Sequence, residues 1–162
     1  HGRTRADKYM GDAEYDTIAA IKQAVGIPVL ANGDITSPEK ARRVFEHTGC
    51  DGIMVGRGAH GRPWLFREIQ HYLRTRDLLP PPNLAEQRDI VLRHLGGVHA
   101  FDGPDLGVRF SRKHLGWYAD FLPEGQALSR QFNTLINADQ QIRLVSEYFL
   151  RRADSRWPDA AA

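Results

Sequence analysis

The sequence predicts two kinds of structure in succession: an α/β segment built on parallel strands, then an all-α bundle. Three observations carry that expectation. Two short apolar runs, residues 27–31 (IPVLA) and 53–55 (IMV), flank a stretch of helical patterning. Each run ends in a polar turn containing glycine, Asn32-Gly33-Asp34 after the first and Gly56-Arg57-Gly58 after the second. Past Pro80-Pro81-Pro82 there is no further strand signal, only apolar residues at helical spacing. Strand, helix, strand is a parallel unit. It sets both turns at the carboxyl ends of neighbouring strands, where α/β proteins place ligand sites.

Taken in order, His1-Gly2-Arg3-Thr4-Arg5 is polar and basic and suits a loop on the rim that carries the two glycine turns. The plainer alternative for it is a frayed terminus. Residues 13–25 put Tyr15, Ile18, Ile21 and Val25 at three-to-four spacing, one buried helical face, and Gly26 ends that helix. The helix between the strands has Ser37 as N-cap, Pro38 at its first position and Gly49 just past its end. Pro63 opens another helix through Arg76, with Leu65, Ile69, Tyr72 and Leu73 as its apolar stripe. The alternation continues the pattern of an α/β barrel or a doubly wound sheet. The expected organisation is an α/β part over residues 1–76, a proline-rich connector over 77–82, a helical domain over 83–156 and a loose tail over 157–162. Within the helical domain, residues 84–101 and 106–121 read as helices separated by a Gly103-Pro104 turn, with Gly96-Gly97 weakening the first. Residues 127–152 read as a shorter and a longer helix, with Ile142, Val145 and Phe149 on one face of the longer.

Composition narrows the class. Of 162 residues, 41% are hydrophobic and 26% charged, as in a globular protein. No apolar run reaches membrane-spanning length and no signal-peptide pattern opens the chain, so no membrane association is expected. The single cysteine, Cys50, excludes an internal disulfide framework and fits a reducing, cytoplasmic setting. It reads as a structural cysteine, since no basic group is placed to lower its pKa. No metal site is expected. A net charge of +2 does not by itself imply nucleic-acid binding. An isolated strand-helix-strand unit leaves both sheet edges open, which suggests the carboxy-terminal piece of a longer protein.

The chemistry of the turns favours a phosphate. Glycine lets backbone N–H groups approach an anion, Arg57 brings a permanent charge with a fork of donors, and Asn32 and Asp34 add hydrogen-bonding groups. The alternative is that Gly33 and Gly56 are turn glycines only. In the helical part, Arg109, Arg112, Lys113 and His114 cluster near Trp117 and Tyr118. That mixture suits phosphates and stacked bases, although a solvated basic face over core aromatics is the simpler reading.

Several stretches together resemble the tRNA-dihydrouridine synthases, most closely the bacterial B-type members. They are HGRTR at residues 1–5, GDAEYDTI at 11–18, IPVLANGDI at 27–35, GRGAHGRPW at 56–64, RFSRKHLGWY at 109–118 and FN at 132–133. The resemblance implies that the chain is the C-terminal portion of a (β/α)8 TIM barrel that binds FMN, followed by a small helical bundle that binds tRNA. The implied activity reduces particular uridines in tRNA to 5,6-dihydrouridine, with NADPH reducing the flavin, in an enzyme that is a monomer. His1, Asn32, Gly33, Asp34, Gly56 and Arg57 would lie at the flavin. Arg3, Arg5, Arg109, Arg112 and Lys113 would face tRNA. The family's general acid is a cysteine on an earlier loop, which Cys50 does not match, so no catalytic residue is expected in this chain. The competing reading is a non-catalytic RNA-binding module with a vestigial flavin half-site. A barrel oxidoreductase acting on a small molecule fits less well, because a small substrate needs no basic bundle.

Overall fold

A computed structural model describes residues 1–3 and 11–154 of the chain. Thr4, Arg5 and the tail over 157–162 lie outside the described residues. The chain divides into two compact units, His1–Pro80 and Pro81–Ala162.

The first unit alternates helix and strand: α1 (Asp16–Ala24), β1 (Leu30–Asn32), α2 (Pro38–Thr48), β2 (Gly52–Met54), a 3₁₀ turn (Arg57–Ala59) and α3 (Leu65–Thr75). The strands pair in parallel, with Leu30 opposite Gly52, Ala31 opposite Ile53 and Asn32 opposite Met54. The crossover helix α2 is bounded by its local sequence. Ser37 Oγ accepts from the Lys40 N–H at 3.1 Å, Pro38 occupies the first turn, and Gly49 closes the helix in the left-handed region at φ 62°. Helices pack on one side of the strands over Ile18, Ala31, Ile35, Ala41, Val44, Cys50, Leu65 and Ile69. Each fully buried aliphatic side chain there, such as Leu65, contributes about 2 kcal/mol. Cys50 belongs to this core, and its N–H donates to Thr48 Oγ1 at 3.2 Å.

The apolar runs do not make strands covered on both faces: Leu30 and Met54, on the face opposite Ala31, are more than half exposed. Nor does the whole α1 stripe reach the core. Ile18 is buried, but Ile21 and Val25 are exposed, because two strands offer too narrow a surface to cover a helix that overhangs them.

The second unit is a helical bundle: α4 (Leu84–Ala119), α5 (Gly125–Thr134) and α6 (Ala138–Asp154). A reciprocal cap starts α4, with Asn83 Oδ1 accepting from Glu86 N–H at 3.0 Å and Glu86 Oε2 accepting from Asn83 N–H at 2.9 Å. Helix α4 is a hairpin of two arms, residues 84–102 and 104–119. Gly103 (φ 80°, ψ −178°) reverses the chain and Pro104 opens the second arm. Contacts across the turn prove the reversal. A Cβ on Gly107 would lie 2.8 Å from His99 Cα, and His94 Nδ1 is 2.9 Å from the Tyr118 hydroxyl. Gly96 and Gly97 do not break the first arm, since the packing of Val91 and Leu95 on the rest of the bundle outweighs their poor helix propensity. The core also takes in Val108, Leu115, Leu128, Phe132, Val145 and Phe149. On α6, Gln141 rather than half-buried Ile142 faces inward. Gln141 Oε1 meets His99 Nε2 and accepts from Ser111 Oγ, each at 2.8 Å, while its Nε2 donates to the Val108 carbonyl at 3.2 Å. One buried amide thus ties α6 to both arms of the hairpin.

Candidate functional site

The carboxyl ends of β1 and β2 open into a cleft of about 620 Å³. His1, Arg3, Asp12, Asn32, Gly33, Asp34, Gly56, Arg57 and Gly58 are among its lining residues. Parallel pairing is what brings the two glycine turns together there. Asn32 Nδ2 donates to the Met54 carbonyl at 2.7 Å, fastening the two strand ends. The chain start lies alongside: Gly2 N–H donates to the Asn32 carbonyl at 3.1 Å, and the Gly2 carbonyl accepts from Glu14 N–H at 2.7 Å.

Two glycines allow the close approaches. Gly33 sits at φ 141°, and a Cβ there would lie 2.6 Å from Ala13 Cβ. A Cβ on Gly58 would run into the Ile35 carbonyl, so glycine lets the second turn rest on the first. Beyond Gly56 the space is open. The Gly33 carbonyl accepts from the Tyr15 hydroxyl at 2.5 Å, which ties α1 to the same turn.

Arg3 and Asp34 dominate the electrostatics. Arg3 donates to Asp34 Oδ1 at 2.8 Å and to Oδ2 at 2.5 Å, and also to the Gly11 carbonyl. Asp34 Oδ2 accepts from Ala13 N–H at 2.9 Å. The Arg3 hydrogen bond, helped by Ala13 N–H and by the charges of Arg3 and Arg57, holds the Asp34 carboxyl below the usual range against the opposing effect of burial. Burial, more than its charged neighbours, pushes the Tyr15 phenol up. Arg57 Nη2 lies 3.6 Å from Asp34 Oδ1, and its side chain is 54% exposed at the cleft. Chemically, the cleft offers an anion one buried, carboxylate-braced arginine, one accessible arginine, an amide and glycine-rich backbone.

His1, Asn32, Gly33, Asp34, Gly56 and Arg57 therefore come together around one cleft. Asp34 stands there as a brace for Arg3, not as an open acceptor. Arg3 itself, expected to face RNA, is only 6% exposed and points into the Asp34 pair, because a guanidinium so enclosed needs a carboxylate partner. Asp12, Ile35, Thr36 and Met54 also line the cleft without having been read as site residues in the sequence, and Gly58 was read only as part of the second turn. The GRG spacing was the available signal for Gly58.

In the helical unit, Arg109 and Lys113 are exposed on the second arm of α4. Lys113 Nζ sits 5.0 Å from the centre of the Trp117 ring. Arg112 is turned differently: half-buried, it donates through Nη2 to the Leu135 carbonyl at 3.2 Å. His114 packs edge-on between His94, at 4.8 Å, and Trp117, at 5.0 Å.

A family model described as dihydrouridine synthase matches residues 1–154. The chain belongs to the dihydrouridine synthase family. The chain is 58% identical over 155 residues to the tRNA-dihydrouridine synthase B of Pseudomonas putida, covering 96% of the chain and 46% of that protein. It is 56% identical over 155 residues to the protein of that name from Pseudomonas aeruginosa, with 96% and 47% covered. To the one from Escherichia coli K12 it is 51% identical over 149 residues, with 92% and 46% covered. The chain thus spans about half the length of the curated relatives it matches. No helix among the described residues is long and apolar enough to cross a membrane, and no group of metal-binding side chains occurs among them.

Proposed function

We propose that this chain supplies the C-terminal part of an FMN-binding (β/α)8 barrel, together with the helical tRNA-binding unit, of an enzyme that reduces uridines in tRNA to 5,6-dihydrouridine with NADPH. One observation carries the reading: the two glycine turns meet at a single cleft at the carboxyl ends of adjacent parallel strands, with Arg3 and Arg57 beside them. The open face of Leu30 and Met54 supports it further, since in a closed cylinder of strands that face is the packed interior.

The residues fit a flavin phosphate. Arg57 presents charged donors, the Gly56 backbone is unobstructed, and Arg3 adds positive charge already oriented by Asp34. FMN, when bound, supplies the hydride for the uracil ring. The chain's own residues do the holding: Arg57 and the turn at Gly56 bind the phosphate, Asn32 keeps the strand ends together, and Asp34 fixes Arg3. No residue of this chain is assigned as the proton donor, and Cys50 is enclosed in the helix-side core.

The test is a chimera in which this chain replaces the matched stretch of the Pseudomonas putida relative. The expected protein retains flavin and forms dihydrouridine in unmodified tRNA with NADPH, and Arg57→Ala lowers FMN affinity about tenfold or more. A folded chimera that binds tRNA but no flavin would favour the RNA-binding module instead.

A further inference from the structure

The second arm of α4 has two unlike faces. Val108, Ser111, Leu115, Tyr118 and Ala119 point inward and are buried. At 100° per residue, Leu106, Arg109, Phe110, Lys113, Gly116 and Trp117 fall together on the opposite side. An outward helical face is ordinarily polar, yet here Leu106 and Phe110 are about half exposed, 49% and 48%, between two exposed cations. Asp120 closes the lower end of the face, its carboxylate accepting from Gln126 Nε2 at 2.9 Å.

Gly116 adds a second, independent observation. Its counterpart on the inner side, Gly107, is needed, because a Cβ would collide with the first arm. Gly116 has no such reason: nothing lies within 4 Å of where its Cβ would be. Glycine is the poorest helix former short of proline, so an unneeded one in the last turn of this arm costs some stability. What it provides is backbone open to close approach, set between Lys113 and Trp117.

We propose that this face is a platform for unpaired nucleotides of the RNA substrate, with bases stacking on Phe110 and Trp117, phosphates meeting Arg109 and Lys113, and the strand passing close over Gly116. The proposal rests on the tRNA reading above and names the part of the helical unit that serves it. Alternating aromatic and cationic groups are what single-stranded RNA needs, since every base has a flat face and every linkage a charge. A helical protein partner would be served by an apolar stripe without the cations. From Leu106 to Trp117 the arm rises about 16 Å, the length of four or five stacked nucleotides at about 3.4 Å each.

The experiment measures binding of fluorescent unmodified tRNA transcript and of a short oligouridylate to the full chain by anisotropy. Phe110→Ala should weaken both about tenfold, the worth of one stacked base. Gly116→Met should raise the melting temperature, as a better helix former, while weakening RNA binding, a combination that a purely structural role would not give. Lys113→Gln should reduce the salt slope of binding by about one. Replacing Arg143, exposed on α6, with Ala should leave binding of the oligouridylate unchanged. Wild-type binding that is indifferent to Phe110→Ala and Gly116→Met would overturn the platform and leave the tRNA reading standing. Failure of the wild-type chain to bind tRNA would overturn both. Self-association abolished by Phe110→Arg, with RNA binding intact, would make the face a protein interface and overturn the proposal.

Discussion

Arg3 and Asp34, 31 positions apart, form a two-pronged ion pair that clamps the start of the chain to the turn after β1. Asp34 holds this position at φ 46°, a left-handed conformation that aspartate tolerates when its side chain is hydrogen-bonded locally. Asp34→Asn keeps the shape and removes the charge. It should lower the melting temperature and weaken binding of inorganic phosphate at the cleft, because Arg3 loses its orientation. The pH dependence has a definite sign. The folded carboxyl titrates below its ordinary value of 3.8, so the pair stabilises above that value and is lost as pH falls through the folded pKa. The gap between wild type and Asp34→Asn in a pH series of thermal melts should therefore narrow only below about 3.8.

Gly33→Ala should be costly. The residue sits at φ 141°, and the added methyl group would meet Ala13 Cβ at 2.6 Å. Strain of this kind is worth on the order of 2 kcal/mol, before any displacement of residues 1–3 is counted. Urea unfolding followed by circular dichroism would report it. A variant as stable as wild type would show that the turn relaxes freely.

The buried amide of Gln141 joins α6 to both arms of the hairpin. Gln141→Leu has similar volume but leaves His99 Nε2 without its partner and takes one partner each from Ser111 and the Val108 carbonyl, which keep their mutual bond at 2.9 Å. Leaving buried polar groups unsatisfied should destabilise the helical unit by about 3 kcal/mol. Native-state hydrogen exchange should show the loss as faster exchange in α6 and in both arms of α4.

Two titrations should mark the contact between the arms. Burial pushes the Tyr118 phenol up to about 12. The folded state then keeps its proton when the unfolded chain has lost one, so this contribution is present below pH 10 and lost as pH rises from 10 towards 12. Phenolate absorbance should show one tyrosine titrating last, and Tyr118→Phe should remove that step. Burial lowers the His94 pKa from its usual 6.5, so its contribution is present above that value and declines as pH falls below it. Melting temperatures of wild type and His94→Gln should converge towards acid pH.

Local signals in the sequence translated directly into structure. Ser37, Pro38 and Gly49 delimit α2 because caps act on the nearest turn, and Gly103-Pro104 makes the reversal that the dipeptide suggests. The meeting of the two glycine turns was legible too, since a parallel crossover leaves no other arrangement. Long-range partners were not. Nothing in HGRTR reveals that Arg3 will be absorbed by Asp34, and nothing near Gly33 announces Ala13 as its neighbour. Periodicity likewise gave α1 its helix but could not tell that Ile21 and Val25 overhang the strands. Those outcomes depend on how wide the sheet is, which no single window of sequence records.

Gly103 and Pro104 divide the work of making a hairpin. The first occupies a backbone region all but closed to other residues, so it alone permits the reversal. The second disfavours the competing outcome, because a proline in mid-helix would clash with the carbonyl four residues back and lacks an N–H to bond it. Without that pair, 36 residues of near-continuous helix could straighten into a rod of about 54 Å, its far half docking into a neighbouring molecule's bundle. Replacing both Gly103 and Pro104 with good helix formers is therefore the change best placed to convert the hairpin of α4 into an arm exchanged between two molecules.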